Sequence, residues 1–527
     1  MQQKPLPENY SVRLQRNFDF FDEKVATLGS DFAVLCKGLN KLVIVDVALN
    51  RDQDNPQLIF ESMNSTGLEL SQADLIRNYI LMGLEPDHQT RLYEDHWRPM
   101  EVKFGQDAYG SHFDSFMRHY LTLKTGDIPN VRAVYEAFKA YSRTADVESG
   151  GVDNLVRDIQ AFGDYYCCMA LGSEHDKSLA EAFQDLRELK VDVAYPLLLE
   201  MYRDYAGGVL PRDDFAKSVR HIEAYVFRRA ICAIPTNSLN KTFATFRRSL
   251  RKDHYLESVQ AAFLLLPSYR RFPSDEEFRR EFSVRDVYNF PRRSYWLRRV
   301  ENHGRKERVP VDEYTIEHIM PQNENLSARW QSDLGPDWEQ IHKTRLHTLG
   351  NLTLTGYNSE YSDRSFVDKR DMKGGFKESP LRLNEGLASI DSWNSDAIEK
   401  RAERLSTLAL AVWAAPELLS EVLEAYKPKV EQSRAQYSID DHAYLAAGTA
   451  SRGLFEALRK EILALDPCVS EEFLKLYIAY KAETNFVDVV PLVLALALFD
   501  HVVAGLGEDE PTAQSWFEVE PFLLAHA

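Results

Sequence analysis

The stretch Tyr314-Thr315-Ile316-Glu317-His318-Ile319-Met320-Pro321-Gln322 alternates apolar and polar side chains and stops at a proline. Period-two alternation over a few residues marks a short strand, and a proline cannot extend the ladder. Downstream, Leu349-Gly350-Asn351-Leu352-Thr353-Leu354-Thr355 is rich in residues that fit a pleated surface and closes at Gly356, which predicts a second strand. Asp363 to Lys373 then reads as a helix, with Ser362 or Asp363 as its N-cap. The order is strand, strand, helix.

That order is the skeleton of a ββα-metal nuclease site, in which a His at the end of the first strand activates water. His318 stands at that end. An imidazole accepts a proton near neutral pH, since its ordinary pKa is about 6.5. A hard cation such as Mg²⁺, or another divalent metal, takes oxygen ligands, and Glu317 and the amide of Asn358 offer them. Asn351 is expected to hold His318 in its working orientation by a hydrogen bond. His342 and His347, between the two pieces, read as structural or surface residues. A lone His-x-x-Pro is common; the ordered combination gives it weight.

These segments together resemble the HNH-like nuclease domain of GmrSD-like proteins, the modification-dependent (type IV) restriction endonucleases of bacterial anti-phage defence. The resemblance continues through Trp393 and Arg401–Leu405, where the family has a Trp followed by a helix bearing an Arg. It implies His318 as general base, Asn351 as the orienting residue and Lys369 as a basic member of the catalytic set. It implies Glu317 and Asn358 on the metal side. A second block, Leu58 to Tyr79, is similar to the end of that family's ParB-like N-terminal domain, which is linked to nucleotide hydrolysis. The family's upstream Asp-Gly-Gln-Gln-Arg-type motif does not precede Leu58, so nucleotide binding is not expected, and a partner or a second copy is the expected source of the other half.

The wider chain fits this reading. Its 527 residues suffice for several domains, and a net charge of -18 requires that any nucleic-acid contact use a local basic face. Residues 241–308 supply one, with 17 Lys or Arg against 9 Asp or Glu. Arg292, Arg293, Arg298 and Arg299 lie among its aromatic residues and are the expected DNA contacts. The five cysteines form no spaced pair and read as small buried hydrophobes. No signal-peptide core opens the chain, and a cytoplasmic location without membrane contact is expected.

The expected fold class is mainly α and multidomain, with an embedded ββα-metal (HNH-like) motif and a small α+β C-terminal domain. The expected divisions are a partial ParB-like domain at 1–85 and a helical spacer at 86–240, punctuated by loops at Gly150-Gly151 and Gly207-Gly208. A basic helical segment with the nuclease domain follows at 241–427, then an accessory domain at 437–527 that changes character after 491. The expected function is metal-dependent cleavage of foreign, modified DNA. The alternatives are an inactive DNA-binding or scaffolding remnant and an RNA-directed nuclease.

Overall fold

The computed structural model describes residues 12–27, 32–44, 70–427, 437–465, 469–474, 477–481 and 485–489. The chain divides into two compact units. One comprises residues 1–264 and 272–419, the other residues 265–271 and 420–527.

The first unit is mainly helical, as the three- and four-residue spacing of its apolar side chains predicts. Ser71 caps the helix Gln72–Leu81 by accepting a 3.1 Å bond from the Asp74 amide, and Leu75, Ile76 and Ile80 face inward. The helices Gln106–Thr125 and Ala145–Ala170 bury an aromatic core that includes Phe113, Phe116, Tyr120 and Tyr166. The Gly150-Gly151 pair, expected as a loop, is a kink within a helical run: Gly151 sits at φ 76°, ψ 163°, outside helical space.

Three later helices carry the ion pairs that tie this unit together: α1 (Lys177–Leu189), α2 (Arg212–Ile231) and α3 (Arg293–Asn302). Asp176 caps α1 by accepting from the Leu179 amide at 3.0 Å. Near the N-terminus, the apolar run that begins at Lys41 suggests a strand, but none forms over Lys41–Ile44. The rest of that run, and most of the block from Leu58, lie outside the described residues.

Beyond α3 the two expected strands are present and paired. β1 (Thr315–His318) runs antiparallel to β2 (Leu352–Thr355), with Glu317 opposite Thr353 and His318 opposite Leu352. Leu349–Asn351 is a 3₁₀ turn, so β2 starts three residues later than the sequence suggests. The helix after β2 also starts later: α4 is Phe366–Asp371, capped by Ser365, whose Oγ accepts from the Asp368 amide at 3.3 Å. A one-turn helix, Asn358–Tyr361, precedes it. Ile319, Met320, Trp330, Tyr361, Phe366 and Trp393 pack into one core behind the ribbon. α5 (Ser395–Val412) closes the region.

In the second unit the helix Ala450–Ala464 accompanies an antiparallel sheet of β3 (Ser470–Phe473), β4 (Ile478–Lys481) and β5 (Asn485–Val489). Phe455, Ile462, Ile478 and Tyr480 form its small core. The expected change after residue 491 lies outside the described residues. Among the described residues no helix is long and apolar enough to cross a membrane. The expectation of buried cysteines holds for Cys167 but not for Cys36, which is exposed.

Candidate active site

His318 ends β1 with its side chain buried at 4% exposure. Its Nε2 lies 3.0 Å from Nδ1 of His347, while its Nδ1 is buried and has no hydrogen-bond partner. Burial, reinforced by His347 and Lys369, pushes the His318 pKa down to about 3. At neutral pH the ring is therefore uncharged and able to accept a proton.

The backbone that carries His318 is fixed by a buried ammonium. Lys369, fully buried on α4, donates to Glu317 Oε1 at 2.6 Å, to His318 O at 3.2 Å and to Ile319 O at 3.1 Å. Burial lowers the Lys369 pKa and raises that of Glu317, and each ion opposes the other's shift. Three acceptors around one ammonium satisfy its three donors, which is what a buried Lys requires.

The Asn351 side chain makes its hydrogen bonds to groups other than the His318 ring. Its Oδ1 accepts from the Met320 amide at 2.7 Å and from Trp393 Nε1 at 3.2 Å. Its Nδ2 donates to Met320 O at 3.0 Å and Leu346 O at 2.9 Å. Asn351 thus pins the chain just beyond β1, and the hydrogen bond expected toward His318 is replaced by His347. Arg401, buried on α5, donates to the carbonyls of Leu349, Gly350, Leu352 and Leu383. Burial pushes its pKa down to about 9. Asn358 is exposed, and its Nδ2 donates to Ile316 O at 3.1 Å.

Residues 272–408 match the family model of the GmrSD restriction endonucleases' C-terminal domain. This segment is similar to the C-terminal domain of those endonucleases. A comparison of the chain with curated proteins finds no match. The matched segment spans both strands, the Lys369 helix, Trp393 and Arg401, so every residue of the candidate site falls within it.

Within the segment similar to the GmrSD C-terminal domain the structure adds three residues that the sequence does not single out as functional. His347 is the first; its nearness to Leu349-Gly350-Asn351 was the available signal. Tyr288 is the second: its ring stacks on His347 at 5.1 Å and 11°, and meets His318 edge-on at 4.4 Å. Asp363 is the third. It accepts from Asn323 Nδ2 at 2.8 Å, and its charge adds to the rise of the Glu317 pKa and opposes the burial-driven lowering of the Lys369 pKa.

The four arginines expected at DNA separate into two pairs. Arg293 is exposed, with its guanidinium 4.7 Å from the Tyr288 ring centre, and Arg292 is half-buried. Both line a cavity of about 580 Å³ with Lys190, Asn289 and Ser294. Arg298 and Arg299 are a correction, because both are buried in ion pairs. Arg298 bonds Asp185 and, at 2.6 Å, Glu188; Arg299 bonds Glu223 at 2.6 Å. Their guanidiniums are engaged by carboxylates of α1 and α2, although Arg298 also lines the cavity of Arg292 and Arg293.

Proposed function

We propose that this chain is a restriction-type DNA endonuclease, with its HNH-like site in the GmrSD domain and foreign, modified DNA as its substrate. One observation carries the reading. His318 is an uncharged imidazole at a strand end whose Nδ1 has no protein partner, next to a buried Lys369–Glu317 pair. In this reaction His318 takes a proton from water as the water oxygen bonds to phosphorus, a step that requires the buried Nδ1 to become open to water. One ester P–O bond breaks, and the leaving oxygen is protonated from solvent. Lys369 and Asn351 hold the β1 end so that the ring does not shift during the transfer.

The donor set suits a divalent cation. Glu317 uses Oε1 for Lys369, Asn358 uses Nδ2 for Ile316 O, and the Asp363 carboxylate acts on the same region. Their other oxygens are the hard donors that Mg²⁺ takes, and the mutual repulsion of Glu317 and Asp363 favours a positive charge beside them. Glu317 and Asn358, with Asp363 nearby, would hold such an ion, which would supply polarisation of the phosphate. Among the described residues no three His, Cys, Asp or Glu side chains converge as a closed metal cage, so water and phosphate would complete its shell.

The test is nicking of supercoiled plasmid with Mg²⁺, on modified and unmodified DNA and on RNA in parallel. His318→Ala is expected to slow DNA cleavage by roughly 10²–10⁴-fold with DNA affinity unchanged, because a base acts in the transition state. Equal rates for His318→Ala and wild type, or cleavage of RNA alone, overturn the proposal.

A further inference from the structure

We infer that His347 is a positioning residue for His318: it accepts a hydrogen bond at Nδ1, holds the His318 proton on Nε2, and so leaves His318 Nδ1 bare. The inference rests on His318 being the base. Two rings 3.0 Å apart at His318 Nε2 and His347 Nδ1 share one hydrogen, which leaves two arrangements. In the first, His318 Nε2–H donates to His347 and His318 Nδ1 is an unprotonated, unpartnered acceptor. In the second, His347 Nδ1–H donates and His318 carries its proton on Nδ1. That nitrogen is buried with no partner, so the second arrangement strands an N–H donor. Buried orphan donors are rarer than under-used acceptors, because a donor hydrogen has no other way to be satisfied. The first arrangement is therefore favoured, and it is also the one that leaves Nδ1 unprotonated, as a base must be.

The structure holds His347 in place for this task. The amides of Val287 and Tyr288 donate to the His347 carbonyl at 3.0 and 3.4 Å. The Tyr288 ring lies nearly parallel to the His347 ring and edge-on to His318, so one aromatic side chain braces both. The hydrogen bond on one imidazole nitrogen decides which nitrogen is free, and that is the effect assigned here.

The experiment compares His347→Ala, His347→Asn and His318→Gln with wild type. One readout is the ring ¹⁵N shifts of His318, assigned by their loss in His318→Gln. Kinetics on plasmid DNA give the second, and thermal melts confirm folding. Wild type should show a protonated Nε2 and a bare Nδ1 on His318, and His347→Ala a mixture. Turnover in His347→Ala should fall roughly 10–100-fold, as for other supporting hydrogen-bond partners, with DNA affinity unchanged. His347→Asn, whose amide oxygen replaces the acceptor, should recover most of it. A wild-type His318 protonated on Nδ1, or unchanged shifts and turnover in His347→Ala, overturns the inference. Full cleavage by His318→Gln removes the base reading instead, while the nitrogen shifts still decide where the proton sits.

Discussion

His119 is a neutral ring inside the helical part of the first unit, packed against Tyr166 and Tyr195. Burial, aided by Arg118, pushes its pKa down to about 3. The unfolded chain protonates this ring below about 6.5, whereas the folded chain resists protonation until far lower pH. Stability is therefore lost as pH falls below about 6.5, at up to about 1.4 kcal/mol per unit from this residue. The urea midpoint should drop between pH 7 and pH 5, and His119→Phe should flatten that drop. An equal drop in His119→Phe would assign the pH dependence to other groups. His318 has the same depressed pKa from the same cause, but its buried Nδ1 has no partner. The two histidines differ in their surroundings: His119 packs against tyrosine rings in the helical core, whereas His318 ends β1 beside His347 and the Lys369–Glu317 pair, which makes His318 the candidate base.

At the scale of elements, the β1–β2 ribbon is short and is held at its open end from outside. Asn351 makes four hydrogen bonds there, and Arg401 gathers the carbonyls around the start of β2. Gly350 lets α5 approach: a Cβ at that position would lie 2.3 Å from the Ile398 carbonyl oxygen. Asn351→Ala should therefore act on folding. It leaves the buried Met320 amide and carbonyl and the Trp393 N–H short of partners, at about 1–3 kcal/mol for such a group. A lowered melting temperature with loss of cleavage is expected, in contrast to His318→Ala, which should keep its melting temperature. If Asn351→Ala melts like wild type but cleaves slowly, the orienting role expected from the sequence is restored.

At the scale of the first unit, α3 is joined to α1 and α2 through buried charge. Asp185, fully buried on α1, faces Arg298, Arg299 and Arg220, while Glu223 on α2 accepts from Arg299 and from the Tyr295 hydroxyl. Removing one partner of a buried ion pair leaves an uncompensated charge, which costs about 3–5 kcal/mol. Arg299→Ala should thus lower the melting temperature sharply. Arg292→Ala with Arg293→Ala should leave it nearly unchanged and flatten the salt dependence of DNA binding, by about 0.9 in log–log slope for each phosphate no longer neutralised. An unaltered slope in that double variant, measured by titration at several salt concentrations, would remove these two arginines from the DNA interface as well.

The sequence by itself determined the mainly helical class, the two strands, and the presence of His318, Asn351, Lys369 and Arg401 in one segment. Each rests on local pattern: alternation for strands, helical spacing for helices, and order along the chain for the family resemblance. Only the tertiary structure decided what those residues touch. His347 meets His318 across 29 positions, and Arg298 meets Asp185 across 113. An arginine pair on a helix has the same local sequence whether it faces water or a buried carboxylate, and a histidine between two motifs looks the same whether exposed or hydrogen-bonded to the base. Partner identity is set by packing between distant segments, so the same spelling allowed a DNA contact at Arg299 where the fold made an internal ion pair.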